Sequence, residues 1–490
     1  MIDDARIEAI VQEVMAELNL GERVRHGPSP EPSYRRPSAA PPPARELRHG
    51  DNLYPDVASA VAAASRAYHE LGNLPLAVRE KMISQIRRIM RENAQLLAHE
   101  AWRETGMGRY EDKIQKNLLN ANKAAGTEAL IPTAWSGDDG LTLLEFAPYG
   151  VIGSIIPSTN PTSTVICNAI AMVAAGNAVV FNSHPGARAC SNHAVQLINE
   201  AIVAAGGPPS LVCATAEPTI ESAQDIMRHP DVRLLAVTGG AAVVKAAMQS
   251  GKRAVCAGPG NPPVVVDETA DLDQAGRDIV RGASFDNNVI CTDEKEVFVV
   301  AGVADDLKRA MCQHGAYEID SSQLSRLVES IFSGVPPAGK HGTMNKAFIG
   351  KNAGVLLGEI GIEVGDEVRL VLVEVEPDHP LVLSEQMMPI IPLVRVRSAD
   401  EGIDLAKKAE HGFRHTAVMH SKNLDHLSRM ARVMDCSIFV KNAPAYAGVG
   451  YGGEGYCSFT IASPTGEGVT GPISFSRVRR CTLKDAFRIV

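Results

Sequence analysis

Between residues 141 and 249 the chain alternates short apolar runs with longer segments of helical spacing, and this alternation restricts the fold more than any other feature. The apolar runs are Leu141–Phe146, Val151–Ile156, Ala178–Phe181, Leu211–Ala214 and Leu234–Val237. Helical patterns at Thr164–Ala175, 187–205, 219–228 and Ala241–Gln249 separate them. Such alternation builds βαβ units, and hence a parallel sheet with helices on both faces. Residues 53–125 read as helices: Val57–Leu71, Leu76–Thr105 and a third through Asn117 and Leu118. A second α/β stretch runs from about Val264 to Phe439, with Glu296–Val300, Glu374–Val375 and Leu393–Val396 as strands. No solenoid-type repeat interrupts the pattern. The fold class is α/β.

With 490 residues the chain is long enough for roughly three structural units. Chains of this size bury enough surface to need no disulfide or metal staple. A formal charge of −9 speaks against nucleic acid as a partner, because a phosphate-binding face is basic. Nine cysteines stand at 167, 190, 213, 256, 291, 312, 436, 457 and 481 without any Cys-x-x-Cys pair. That distribution fits neither a disulfide framework nor a zinc site, and it suits a reducing cytosol. The longest apolar stretch, Val165–Phe181, is broken by Asn168, Gly176 and Asn177, so no membrane span is expected. Asp3 and Asp4 open the chain where a secretory signal needs positive charge.

Residues 1–20 have amphipathic helical spacing, with Ile7, Ile10, Val11, Val14 and Leu18 on one stripe. Residues 21–46 are rich in proline and serine, too poor in apolar side chains to pack, and read as an extended tether. Either this helix docks on its own protein or it lays its stripe into a groove on another. The long spacer favours the second.

Several segments are candidates for chemistry. Gly448 to Gly455 contains a formal G-x-G-x-x-G, but Tyr456–Ile461 after it looks extended. A dinucleotide fingerprint needs a helix there, so a mobile surface loop is expected instead. Thr238-Gly239-Gly240 leaves a strand and enters a helix, where backbone N–H groups attract anions; the plain alternative is a tight βα turn. His411 and His415 have metal-ligand spacing but no third ligand, and are expected at a solvated helix end. Cys291 follows the polar run Asp286-Asn287-Asn288 and precedes a strand. A loop or helix end there would expose the sulfur and lower its pKa, as a nucleophile requires. Asn160 closes a strand before Pro161 and is either an amide for a developing oxyanion or a helix N-cap.

Four segments, GVIGSIIPSTNP (150–161), GNAVVFNSHP (176–185), VTGG (237–240) and SEQMMPIIPLV (384–394), together resemble the aldehyde dehydrogenase superfamily. With NNVICTDEKEVFVV they are most similar to its CoA-acylating branch, the bacterial microcompartment enzymes acting on propionaldehyde or acetaldehyde. The resemblance runs from about residue 47 to 490 and implies a Rossmann-like cofactor domain, an α/β catalytic domain and a small β oligomerisation arm. It implies residues 47–257 for the first domain, interrupted by an arm near 130–149, 258–465 for the second, and 466–490, with PISFSRVRR, for oligomerisation. It makes Cys291 the nucleophile and Asn160, beside the Cys291 N–H, the oxyanion donor. The cofactor NAD would lie against Ile156, Pro157, Ser158, Thr238, Gly239 and Gly240, with Glu385 on its nicotinamide ribose. His184, Pro185 and Gly186 would border the adenosine.

Hydrolytic relatives carry a glutamate where this chain has Ala257-Gly258-Pro259-Gly260-Asn261-Pro262. Without that base, water attack on an acyl-enzyme lacks an assistance of about 10²–10⁴-fold, whereas a thiol such as coenzyme A needs less help. The resemblance therefore implies oxidation of a short-chain aldehyde, propionaldehyde as the first expectation and acetaldehyde as the alternative, with transfer of the acyl group from Cys291 to CoA. A semialdehyde or phosphorylating reductase, and a catalytically silent cargo protein, are the competing readings. It also implies a homodimer or homotetramer in a microcompartment lumen in the cytoplasm, with residues 1–20 docking on a shell protein.

Overall fold

Strands buried on both faces carry continuous apolar runs, and they belong in the middle of a parallel sheet. In the computed structural model, which describes residues 52–489, Val151–Ile156 and Ala178–Ser183 are buried at every position. They lie in a six-stranded parallel sheet with the order Leu53–Tyr54, Val212–Thr215, Ala178–Ser183, Val151–Ile156, Val232–Thr238, Arg253–Ala257. From Val151–Ile156 the chain winds outward through 178 and 212, then returns to the other side through 232 and 253. The order therefore reverses between Val151–Ile156 and Val232–Thr238, which opens a crevice beyond their carboxyl ends. The helix Pro161–Ala174, buried at every residue, packs behind it.

Asn93 divides the helix expected over Leu76–Thr105 into Leu76–Glu92 and Ala94–Thr105. Its Nδ2 donates to the Ile89 carbonyl at 2.9 Å, so the side chain offers the backbone an alternative to continued helix. The next helix is Tyr110–Lys123. The segments 1–20 and 21–46 lie outside the described residues.

A second parallel sheet has seven strands in the order Ala316–Ile319, Leu370–Glu374, Ile390–Val396, Glu296–Val300, Pro263–Val266, Thr416–His420, Ile438–Lys441. The strand read at Glu374–Val375 begins earlier, at Leu370, and ends at Glu374. Five residues, 258–262, join Arg253–Ala257 of the first sheet directly to Pro263–Val266 of the second.

Thr133–Gly137, Gly140–Pro148 and Ser476–Lys484 make a separate antiparallel sheet. Its long pair runs in continuous register from Ser476 opposite Pro148 to Lys484 opposite Gly140. Trp135, Val478 and Leu483 of this sheet are exposed. Arg480 lies over the Trp135 ring, 5.9 Å from its centroid.

Candidate active site

Three strand ends of the first sheet carry the residues expected to face a dinucleotide. Ile156-Pro157-Ser158 leaves the central strand, and Thr238 ends its neighbour across the crevice. Gly240 is the N-cap of the helix Ala241–Gln249 and supplies no side-chain cap. A methyl group there would meet nothing within 4 Å, so the first-turn N–H groups open onto free space. Thr238 Oγ1 is tied to Thr460 Oγ1 at 3.0 Å. At the third strand end, His184 Nδ1 accepts from the Gly186 N–H at 3.0 Å. Burial, with Lys346 adding, holds this imidazole below its usual range and hence neutral. The hydroxyl of Ser183 beside it is buried without a partner. An uncapped helix end at the reversal of strand order, with an orphan hydroxyl at the end of the strand on the other side of Val151–Ile156, fits a phosphate-bearing dinucleotide.

The nucleophile candidate comes from the opposite side, at the amino ends of the second sheet's strands. Asp286, Asn287 and Asn288 all have left-handed backbone, with φ of 47°, 55° and 65°. Three such residues in a row are strained and persist only where their surroundings hold them. Asn287 Nδ2 donates to the Gly350 carbonyl and to Asn352 Oδ1, both at 2.8 Å. Asn288 Nδ2 donates to the carbonyls of Ala283 and Glu294 at 2.8 and 2.9 Å. Fully buried Lys295 donates to the carbonyls of Asn288 and Ile290 at 2.8 and 3.3 Å. This lattice fixes the turn that ends at Cys291.

Cys291 is half-buried. Its thiol does not have the lowered pKa the sequence leads one to expect. Burial pushes it up to about 12; the Glu385 carboxylate adds to the rise and Lys295 opposes it. No helix starts at Cys291, and the lowering effect of its own backbone N–H is outweighed by desolvation of the thiolate. Burial also raises Glu385, although its Oε1 accepts from the Gly260 N–H at 3.5 Å. A methyl group on Gly260 would sit 2.5 Å from the Cys291 carbonyl oxygen and 3.0 Å from Cγ of His415. The segment 257–262, which contains no carboxylate, is thus packed directly on the backbone of Cys291.

Asn160 occupies the N-cap position of Pro161–Ala174, yet its side chain makes no cap bond. The capping alternative is therefore excluded. Its Oδ1 accepts from Lys116 Nζ at 2.7 Å, and its Nδ2 has only Thr159 Oγ1 at 3.3 Å. Lys116 also pairs with Asp286 at the start of the nucleophile turn. That chain of contacts links Asn160 to the Cys291 segment.

Sequence reasoning missed Lys113 and Lys116, because charged residues three apart on a helix read as a solvated face, and it saw Asp286 only as part of a polar run. It also misplaced His415, which is fully buried with Nδ1 on Thr416 Oγ1 at 2.8 Å. Burial lowers its pKa to about 4, so it is neutral rather than a solvated helix end. His411 Nε2 lies 2.9 Å from the Leu383 carbonyl. The glycine-rich loop is pinned rather than loose: Lys123 Nζ donates to the Gly450 and Gly453 carbonyls at 2.8 and 2.6 Å. Of the other cysteines, Cys312 and Cys481 are exposed and so are not core residues. Among the described residues, no helix is long and apolar enough to cross a membrane.

The model of the aldehyde dehydrogenase family matches residues 49–323, more than half of the chain. The chain belongs to the aldehyde dehydrogenase family. It is 49% identical over 443 residues to the acetylating acetaldehyde dehydrogenase EutE of Salmonella typhimurium, covering 90% of this chain and 94% of that protein. Among solved structures, the Rhodopseudomonas palustris propionaldehyde dehydrogenase with bound CoA and an acylated cysteine has a TM-score of 0.87 to this aldehyde dehydrogenase at 46% identity. It covers 90% of this chain and all (100%) of its own. A propionaldehyde dehydrogenase from the Clostridium phytofermentans fucose utilisation bacterial microcompartment has a TM-score of 0.87 at 47% identity, covering 90% and 100%.

Proposed function

We propose that this aldehyde dehydrogenase is CoA-acylating, and oxidises a short aliphatic aldehyde to its acyl-CoA through a thioester on Cys291. The observation that carries the reading is the segment 257–262, which lies against the Cys291 carbonyl at Gly260 and bears no carboxylate to activate water. An acyl-enzyme without a general base for water is long-lived enough to meet a thiol.

The Cys291 sulfur attacks the aldehyde carbon as thiolate, and its proton passes to solvent. Burial opposes the thiolate, so the free site holds the sulfur as thiol. The resulting alkoxide of the hemithioacetal is held by Asn160 Nδ2 and the Cys291 N–H. Residues 156–158, 184–186 and 238–240, with Glu385 at the ribose, would hold NAD⁺, which when bound would supply the acceptor for the hydride that the carbonyl carbon gives up. The alkoxide collapses to the Cys291 thioester. The CoA thiol gives its proton to solvent and its sulfur attacks the same carbon, the same donors hold the second oxyanion, and the Cys291 sulfur leaves and takes up a proton as acyl-CoA forms.

The division into residues 47–257 for the cofactor, 258–465 for the nucleophile, and 130–149 with 466–490 for self-association belongs to the same proposal. So does docking of residues 1–20 on a microcompartment shell, which rests on their apolar spacing and on the microcompartment origin of a relative. The test is NADH formation from propanal and acetaldehyde with CoA. Cys291→Ala is expected to abolish it, and substantial residual turnover refutes the assignment. Replacing CoA with phosphate excludes a phosphorylating enzyme if no acyl phosphate forms.

A further inference from the structure

An oxyanion donor of the amide type has an inherent ambiguity. Rotated half a turn, an asparagine presents its carbonyl where its NH₂ should be, and repels the charge it is meant to hold. At Asn160 one neighbour removes the ambiguity. Lys116 Nζ carries only donors, and it lies 2.7 Å from Asn160 Oδ1. A flipped amide would set NH₂ against NH₃⁺. The contact is buried on both sides, with Lys116 1% and Asn160 7% exposed, so water cannot replace it.

A buried lysine needs a counter-charge, and Asp286 supplies it. The Asp286 carboxylate, itself fully buried, pairs with Lys116, accepts from Lys113 Nζ at 2.9 Å and accepts from the Arg109 N–H at 2.7 Å. Its own N–H donates to Asp112 Oδ2 at 2.9 Å. The chain before the helix closes tightly on the carboxylate: a Cβ on Gly108 would overlap Asp286 Oδ1. Asp286 is also the first residue of the left-handed run that leads to Cys291. One carboxylate therefore ties the nucleophile's turn to the lysine that orients the amide, across two halves of the chain.

We infer that Lys116, anchored by Asp286, is a positioning residue that holds the Asn160 amide with its NH₂ end toward the reacting oxygen. This rests on the reading of Asn160 as the oxyanion donor. The cation that bears most on the Cys291 thiol is Lys295, not Lys116.

The test is a double-mutant cycle of Lys116→Met and Asn160→Ala in the full chain, read as kcat for propanal with saturating NAD⁺ and CoA. Removing an oxyanion donor costs about 10²–10³-fold, and Asn160→Ala should show it. Lys116→Met should lose most of that factor, with KM for CoA within about threefold. The double variant should be no slower than Asn160→Ala. Alkylation of Cys291 by iodoacetamide, which develops no oxyanion, should keep its wild-type rate in Lys116→Met. Losses that multiply in the double variant overturn the positioning role while leaving the oxyanion reading intact. An equal loss in alkylation also overturns it, because the thiol turn itself would then have moved. A near-normal Asn160→Ala enzyme removes the oxyanion reading and the proposal together. If Lys116→Met yields no soluble protein, Asp286→Asn enters the same cycle, with the same non-additivity expected and additivity refuting.

Discussion

A single methyl group at residue 260 tests whether the segment 257–262 sets the position of the nucleophile. Built on Gly260, that methyl falls 2.5 Å from the carbonyl oxygen of Cys291, about 0.9 Å short of the 3.4 Å at which ordinary contact begins. It also lies 3.0 and 3.3 Å from Cγ and Cδ2 of His415. The imidazole is fully buried and bonded to Thr416, so it has little freedom to retreat. The Cys291 carbonyl must give way, and with it the sulfur. A displacement near 1 Å at a reacting atom costs about 10²-fold in rate, and overpacking costs about 1–3 kcal/mol of stability. Gly260 does not have the left-handed φ that would forbid alanine. Gly260→Ala should therefore fold, melt a few degrees lower and lose about 10²-fold in kcat with propanal, NAD⁺ and CoA. Gly240→Ala is the control for a methyl in open space: no atom lies within 4 Å, so its melting curve should match wild type and any loss should appear in KM for NAD⁺. A Gly260→Ala enzyme with kcat within threefold of wild type and unchanged alkylation of Cys291 would refute the reasoning.

Three further outcomes are expected. Because burial pushes the Cys291 thiol up to about 12 and alkylation requires thiolate, the iodoacetamide rate of the free enzyme should climb about tenfold per pH unit without a plateau below about pH 10. A plateau near neutrality contradicts that electrostatic picture. Val478→Glu, at a 60% exposed position of the arm, should lower the sedimentation coefficient if the arm carries self-association, and an unchanged coefficient removes that role. Residues 1–20 fused to a fluorescent protein should concentrate it inside shells, and diffuse fluorescence is the opposing result.

The sequence displayed the inner strands of the first sheet because they are buried, but not its edge strands Leu53–Tyr54 and Arg253–Ala257, which are too short or too polar to stand out. Val151–Ile156 and the helix Ala241–Gln249 stand where the apolar runs placed them. The break at Asn93 escaped notice because it depends on one side chain returning to its own backbone, which helical spacing does not encode. The strand-to-helix turn at 238–240 was visible locally. Cys291, Asn160 and Glu385 drew their roles from the ordered set of motifs, since a half-buried cysteine or a strand-end amide alone is ordinary. The link between Lys116 and Asp286 was invisible for a different reason. Their partners lie 170 residues apart, and a lysine on a polar helix face looks solvated until the second half of the chain covers it. The same long-range covering turned His415 from a presumed surface group into a neutral buried ring.

The antiparallel arm gives this molecule a particular order of completion. Gly140–Pro148 is synthesised well before its partner, and one of its edges waits for Ser476–Lys484: Thr142 and Thr482, which face each other across the pair, are 340 residues apart. Until the ribosome releases Ser476–Lys484, that edge is a row of unpaired peptide groups on a strand with Leu141, Leu143 and Leu144, open to any neighbouring chain with a free edge. A message truncated between codons 442 and 476 would leave both parallel sheets and the Cys291 turn encoded in full, yet carry that exposed template permanently.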